Sequence, residues 1–175
     1  MSYCEIIAFR DGVPAESKEF KNSYGGCAFV WDALYTRYLK DPKNKYENWL
    51  TAGKPLWDLA KKSYLRRFER IVLASTFDRA IIGKKDFADY AKCLRMFESA
   101  YHDDAVCHLP EWADFVDTCD AEAIGFYGMS VSENLWEVHS EDETRPYNLN
   151  SDDNEIGFSQ PHFDVYEYVY RVSGY

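Results

Sequence analysis

Past residue 100 this chain has almost no basic side chains. Residues 101–175 carry two, Arg145 and Arg171, against 17 Asp and Glu, whereas residues 1–100 carry 18 Lys and Arg against 13 Asp and Glu. The whole chain has a formal net charge of −10 and a pI near 4.8. Such a split speaks to partners and solubility rather than to fold. The overall field is wrong for a polyanion, which argues against direct nucleic-acid binding. An acidic second part calls for a basic partner, for the chain's own basic first part, or for water alone.

Other absences narrow the classes further. The longest apolar runs, such as Ala80–Ile82 and Cys27–Trp31, fall far short of the ~20 residues of a membrane span. No N-terminal stretch joins basic residues to an apolar run, so no signal peptide is predicted and the expected setting is the cytoplasm. The five cysteines, Cys4, Cys27, Cys93, Cys107 and Cys119, are odd in number and never in C-x-x-C spacing. They are predicted to be free thiols in a reducing compartment. Cys93 with His102, and Cys107-His108, lack the paired spacing of a structural zinc site. The Gly25-Gly26 turn belongs to neither G-x-x-x-x-G-K-[ST] nor G-x-G-x-x-G, which leaves it a turn and not a phosphate cradle. The polar run Asn148, Asn150, Asp152, Asp153, Asn154, Glu155 fails as a calcium loop: counted from Asn148, the sixth position is Asp153 and the twelfth Ser159, where Gly and Glu are needed. No metal and no cofactor are predicted.

What is abundant is aromatic. Trp, Tyr and Phe make up 17% of the chain and hydrophobic residues 46%, a composition that folds despite the net charge. With no Gly/Ser/Pro linker, residues 1–175 read as one domain, open to subdivision into a basic, helical part (1–100) and an acidic part (101–175).

The pattern predicts an α+β fold. Residues 3–9 suit a strand, Asp11-Gly12 a tight turn and residues 15–20 the returning strand of a β-hairpin. Apolar residues spaced by three and four predict helices over Cys27–Leu39, from Pro55 onward, over Tyr64–Ser75, over residues 84–101 and over Leu109–Cys119. Trp112, Phe115 and Val116 face inward in the last of these. Ala123–Val131 and Phe163–Val172 read as C-terminal strands able to join the hairpin in a small antiparallel sheet. The whole is an N-terminal hairpin, a helical middle of three to five helices, and C-terminal strands.

Three constellations carry candidate chemistry. Cys27 opens a helix after Gly25-Gly26, where the helix dipole favours a thiolate; His162 and Asp164 would supply base and orienter for a cysteine hydrolase. The stretch Cys27-Ala28-Phe29-Val30-Trp31 resembles the cysteine-bearing helix start of the NlpC/P60 peptidoglycan hydrolases, which implies a nucleophilic role for Cys27. The resemblance covers five residues. In that family the histidine strands follow soon after the cysteine, whereas here mostly helical sequence intervenes. Second, Lys62, Arg66 and Arg70 at i, i+4, i+8 predict a basic ridge on one helix face, solvated or docked on the chain's own acidic part.

Third, Glu111, Asp114 and Asp117 lie three apart on a helix, about 4.5 Å of rise per charge, close to the ~3.4 Å phosphate repeat of one DNA strand. Asp103, Asp104, Asp120, Glu122, Glu133, Glu137, Glu141, Asp142 and Glu143 extend this acidic surface, Tyr127, Trp136, Tyr147 and Phe158 are interleaved with it, and Trp112, Trp136 and Tyr127, where exposed, are the candidate anchors. The reading that follows is a small acidic inhibitor or adaptor that fills a basic groove on a nucleic-acid-handling protein or complex. Its size and acidity resemble those of phage-type anti-CRISPR and anti-restriction proteins, or of an immunity protein that neutralises a basic nuclease. A cysteine hydrolase and a self-assembling structural protein are the alternatives, and oligomeric state is left open.

Overall fold

A computed structural model of the protein describes residues 3–11, 13–21, 26–44, 48–52, 54–76, 81–102 and 107–127. The N-terminal hairpin joins β1 (Tyr3–Arg10) to β2 (Val13–Lys21), and Asp11 makes the turn with φ of 52°. Left-handed backbone is sterically costly for most residues but tolerated by Asp. The strands pair antiparallel from Tyr3↔Lys21 to Arg10↔Val13, with a register shift between Ala8 and Phe9.

Helices then occupy the chain between β2 and β3: α1 (Cys27–Tyr38), α2 (Trp49–Ala52), α3 (Lys54–Asp58) running into a 3-10 turn (Leu59–Lys61), and α4 (Arg67–Ser75). The short strand β3 (Ile81–Gly83) leads through a 3-10 turn (Lys84–Asp86) into α5 (Phe87–Tyr101), followed by α6 (Leu109–Thr118) and β4 (Ala123–Tyr127). The sheet order is β2-β1-β4-β3 with every pairing antiparallel. The fold is α+β, with the hairpin, helical middle and small antiparallel sheet that the pattern predicts.

Two features depart from expectation. β3 is not among the expected strands; three residues are too few to show an alternating pattern, and among the described residues β3 pairs only with β4, at Ile81↔Gly125, Ile82↔Ile124 and Gly83↔Ala123. The basic ridge does not form one helix face. Lys62 follows the 3-10 turn with extended backbone (φ −85°, ψ 123°), and Arg66 (φ −63°, ψ 148°) caps α4 from outside, so the helix begins only at Arg67. The predicted strand Phe163–Val172, the polar run Asn148–Glu155 and the end of the strand predicted to reach Val131 lie outside the described residues.

One face of the sheet carries Cys4, Ile6 and Ala8 from β1, Phe20 from β2, Ile82 from β3, and Ile124 and Phe126 from β4. The helices close over it with Trp31, Leu34, Leu56, Ile71, Leu73, Tyr90, Phe97 and Trp112, all buried, in one apolar cluster. The alternate positions Ile7, Phe9 and Ala123 are buried as well. Burial on both faces explains the unbroken apolar run Ile6-Ile7-Ala8-Phe9, since a strand with one wet face would alternate. Two polar pairs drawn into this core are hydrogen-bonded: Trp31 Nε1 donates to Thr76 Oγ1 at 2.8 Å, and Tyr90 donates to Ser75 Oγ at 2.9 Å. Among the described residues no helix is long and apolar enough to cross a membrane.

Candidate functional site

The acidic surface starts on α6. Pro110 sits in its first turn, where a missing N–H costs nothing, and Glu111 beside it complements the positive end of the helix dipole. Leu109, Trp112, Ala113, Phe115 and Val116 turn into the core, which forces Glu111, Asp114 and Asp117 outward. Asp120 and Glu122, in the link to β4, are also exposed. Five of the sequence-predicted acidic residues are thus exposed on α6 and the link that follows it.

The edge is not bare carboxylate. Arg95, on α5, reaches across and bonds both Asp114 Oδ1 and Asp117 Oδ2 at 2.8 Å. These hydrogen bonds, Asp114 first, hold the Arg95 guanidinium above its ordinary range. Lys84 Nζ lies 3.3 Å from Asp120 Oδ1, the Arg10 side chain bonds the Asp120 carbonyl, and His108 Nδ1 lies 3.3 Å from Glu111 Oε2. All these pairs are solvent-exposed, so each is worth about 1 kcal/mol or less and is weakened by salt. The side chains of Asp114 and Asp120 remain 73% and 84% exposed. They keep most of their surface for a partner.

Trp112 is a correction. It is completely buried, 5.3 Å from the Phe20 ring and 5.5 Å from the Phe126 ring, and ties α6 to the sheet. The heptad-like spacing that turns the carboxylates outward turns this indole inward, so it anchors the fold and not a partner. Tyr127 ends β4 opposite Glu5. Trp136, Glu137, Glu141, Asp142 and Glu143 lie outside the described residues, as do Asp103, Asp104, Tyr147 and Phe158.

Cys27 is the first residue of α1, as its sequence context predicts, but it has no exposed surface. A sealed sulfur cannot be approached by a carbonyl substrate. His162 and Asp164 lie outside the described residues. Of the other thiols, burial pushes Cys93 and Cys107 up to about 11, and also raises Cys119. Thiols shifted this way are poor nucleophiles at neutral pH. Among the described residues no group of three or more His, Cys, Asp or Glu side chains is placed to hold a metal ion.

One cluster escaped the sequence reading altogether. Glu69 is wholly buried, and its carboxylate gathers five donors. Arg66 gives its backbone N–H at 2.7 Å, Nε at 2.8 Å and Nη2 at 2.5 Å; Tyr101 gives its hydroxyl at 2.5 Å and Tyr38 at 3.0 Å. Burial works to raise the Glu69 carboxyl, but the hydrogen bonds from Arg66, Tyr101 and Tyr38 together outweigh it and hold the group below its ordinary value. Tyr101 is pushed up, first by burial and then by donating to Glu69. Around this centre Arg37 packs 5.4 Å from the Tyr38 ring and 5.8 Å from the Tyr101 ring, while Arg66 lies 4.5 Å from Phe68 and 5.7 Å from Tyr101. The available sequence signal was the Arg66-x-x-Glu69 spacing ahead of an apolar run, the carboxylate half of a capping box. It was masked because Arg, unlike Ser or Thr, offers no acceptor.

No protein-family model, no curated protein and no solved structure matches the chain. The functional reading therefore rests on its own residues.

Proposed function

We propose that this protein is a small acidic binding protein that fills a basic groove on another protein, in its sharpest form as a nucleic-acid mimic acting on a nucleic-acid-handling protein or complex. The observation that supports this is the set of exposed carboxylates, Glu111, Asp114, Asp117, Asp120 and Glu122, carried on a helix packed into the core and on its link to the sheet. Fixed charges do not have to be ordered on binding, which preserves affinity. A basic partner would meet this edge at a rate set by long-range attraction and lowered by salt. Inhibition of the anti-CRISPR, anti-restriction or immunity-protein kind, in the cytoplasm, is the biological setting that fits a binder of this type.

The test is affinity capture from bacterial lysate at low and high salt, with retained proteins identified by mass spectrometry. The expected result is one basic, nucleic-acid-binding protein or complex, held at low salt and released at high salt. Glu111→Lys with Asp120→Lys should weaken it by roughly tenfold, about 1.4 kcal/mol, with only a small drop in Tm from the exposed pairs with His108 and Lys84. These two positions leave Arg95 and its two aspartates intact. Capture that ignores both salt and charge reversal would refute the proposal.

A further inference from the structure

The cluster around Glu69 does more than stabilise a helix start. It fixes two guanidinium groups and leaves an aromatic ring open beside them. Tyr64 is 61% exposed, and its ring is backed by Tyr38 at 5.8 Å. Tyr38 and Tyr101 are pinned in turn by their hydroxyls on Glu69, and Arg37 and Arg66 rest on those rings. Arg37 and Lys62 make no ion pair among the described residues, and Lys92 has only the charge of Asp89 nearby, with no ion-pair contact to it. Beyond Arg66 the surface continues into an open groove of about 490 Å³ lined by Arg66, Phe68, Lys92, Arg95, Met96 and Ser99. Arg37 and Arg66 meet over the Tyr101 ring, and Arg66 and Lys92 line the groove together.

We infer that the surface formed by Tyr64, Arg37 and Arg66, continued by the groove at Lys92 and Ser99, binds single-stranded nucleic acid. An exposed ring beside a track of cations is how such strands are held without sequence preference: bases stack on the aromatic and phosphates lie along the positive charges. Arg37, laid on two aromatic rings, is pre-oriented for phosphate and loses little freedom when it binds it, while Arg66, whose Nε and Nη2 already serve Glu69, offers only its remaining N–H groups. An acidic peptide would use the cations but has no use for the open Tyr64 ring. The groove alone does not serve stacking, because Arg66 already covers Phe68 and Phe97 meets that ring edge-on.

The chain's net charge of −10 opposes this less than it first seems to. Residues 128–175 hold 10 Asp and Glu against 2 Lys and Arg, a net of −8, which leaves −2 for residues 1–127. A strand on the patch would be held by the short-range charges of its own cations, which salt screens over about 8 Å. The groove adjoins the α6 edge through Arg95, which bonds Asp114 and Asp117, but Tyr64, Arg37 and Arg66 make no contact with those carboxylates among the described residues.

The experiment is fluorescence anisotropy of a fluorescein-labelled twelve-residue oligothymidylate titrated with the full chain. With about three phosphates neutralised, raising salt from 50 to 200 mM should weaken binding roughly twentyfold. Tyr64→Ala should weaken it about tenfold, the scale of one lost stacking contact, and Arg37→Ala severalfold, while Tyr64→Trp preserves it. Lys85→Ala, at an exposed position away from the patch, should have no effect, and unchanged Tm values certify each fold. Glu111→Lys with Asp120→Lys should not weaken the strand, so this test and the capture experiment fail separately. No binding up to about 100 μM at 50 mM salt would overturn the inference. So would binding that Tyr64→Ala and Arg37→Ala leave intact, or displacement of the strand by a polyglutamate peptide at lower concentration than by unlabelled oligothymidylate.

Discussion

Replacing Glu69 by Gln should be among the most damaging single-atom changes available in this molecule. The side chain has no exposed surface, and its two oxygens serve five donors, three of them on Arg66. Gln keeps one acceptor oxygen and, whichever way it is turned, points its NH2 group at an Arg66 N–H that cannot accept it, while a tyrosine hydroxyl on that side can rotate to do so. Losing one partner of a buried ion pair costs about 3–5 kcal/mol when the other stays buried. Arg66, however, is 44% exposed, so water recovers part of its loss. The expected cost is therefore about 2–3 kcal/mol, or roughly 6–10 °C in Tm for a chain of this length. Thermal unfolding followed by circular dichroism at pH 7 measures it directly.

The pH dependence makes the test sharper. Because the folded Glu69 carboxyl titrates below its ordinary value of 4.5, the unfolded chain takes up that proton first as pH falls. The stability held by ionised Glu69 is therefore complete above about pH 4.5 and is lost as pH drops through the folded value. The gap between the wild-type protein and Glu69→Gln should be widest near neutrality and narrow steadily below pH 4.5. A variant within 0.5 kcal/mol of wild type, or a gap that does not change with pH, would refute the reasoning.

Two further outcomes follow from burial. Trp112→Ala should cost about 3–5 kcal/mol, the range for deleting a large aromatic from a packed core, read by urea unfolding; a loss under 1 kcal/mol would show that the indole is not where α6 meets the sheet. With a disulfide reagent at pH 8, Cys4, Cys27 and Cys93 should stay unmodified in the folded protein while all five thiols react in 6 M guanidinium; fast modification of Cys27 in native buffer would revive the hydrolase alternative.

Much of the architecture was legible because its signals are local. Asp11-Gly12 marked the hairpin, and the three-and-four spacing of Phe87, Tyr90, Leu94, Phe97 and Tyr101 marked α5 to within a turn. The outward carboxylates of α6 followed from the same periodicity. What could not be read is non-local. β3 exists only because Ile82 meets Ile124, and Arg95 meets Asp114 and Asp117 only once α5 lies against α6. Glu69 looked like one more surface charge, because nothing near it in sequence shows that Tyr38 and Tyr101 arrive from other helices. Lys62 and Arg66 obeyed helical spacing in a stretch that is not yet helix, since periodicity reports where a face would lie and not where the chain starts to coil.

The sheet also dictates an order of events during synthesis. β1 leaves the ribosome first, yet its inner neighbour is β4, with Phe9 paired to Ala123. At ~5–20 residues per second, the hairpin must wait on the order of ten seconds for the strand that completes it, with Ile6, Ile7, Ala8 and Phe9 lacking their final cover. During that wait a two-stranded ribbon is barely stable by itself, and its open β1 edge can pair with the wrong chain. The charged residues Glu16, Lys18 and Glu19 along β2 guard only the other edge, so a nascent chain cut short before residue 123 is the form of this protein most exposed to aggregation.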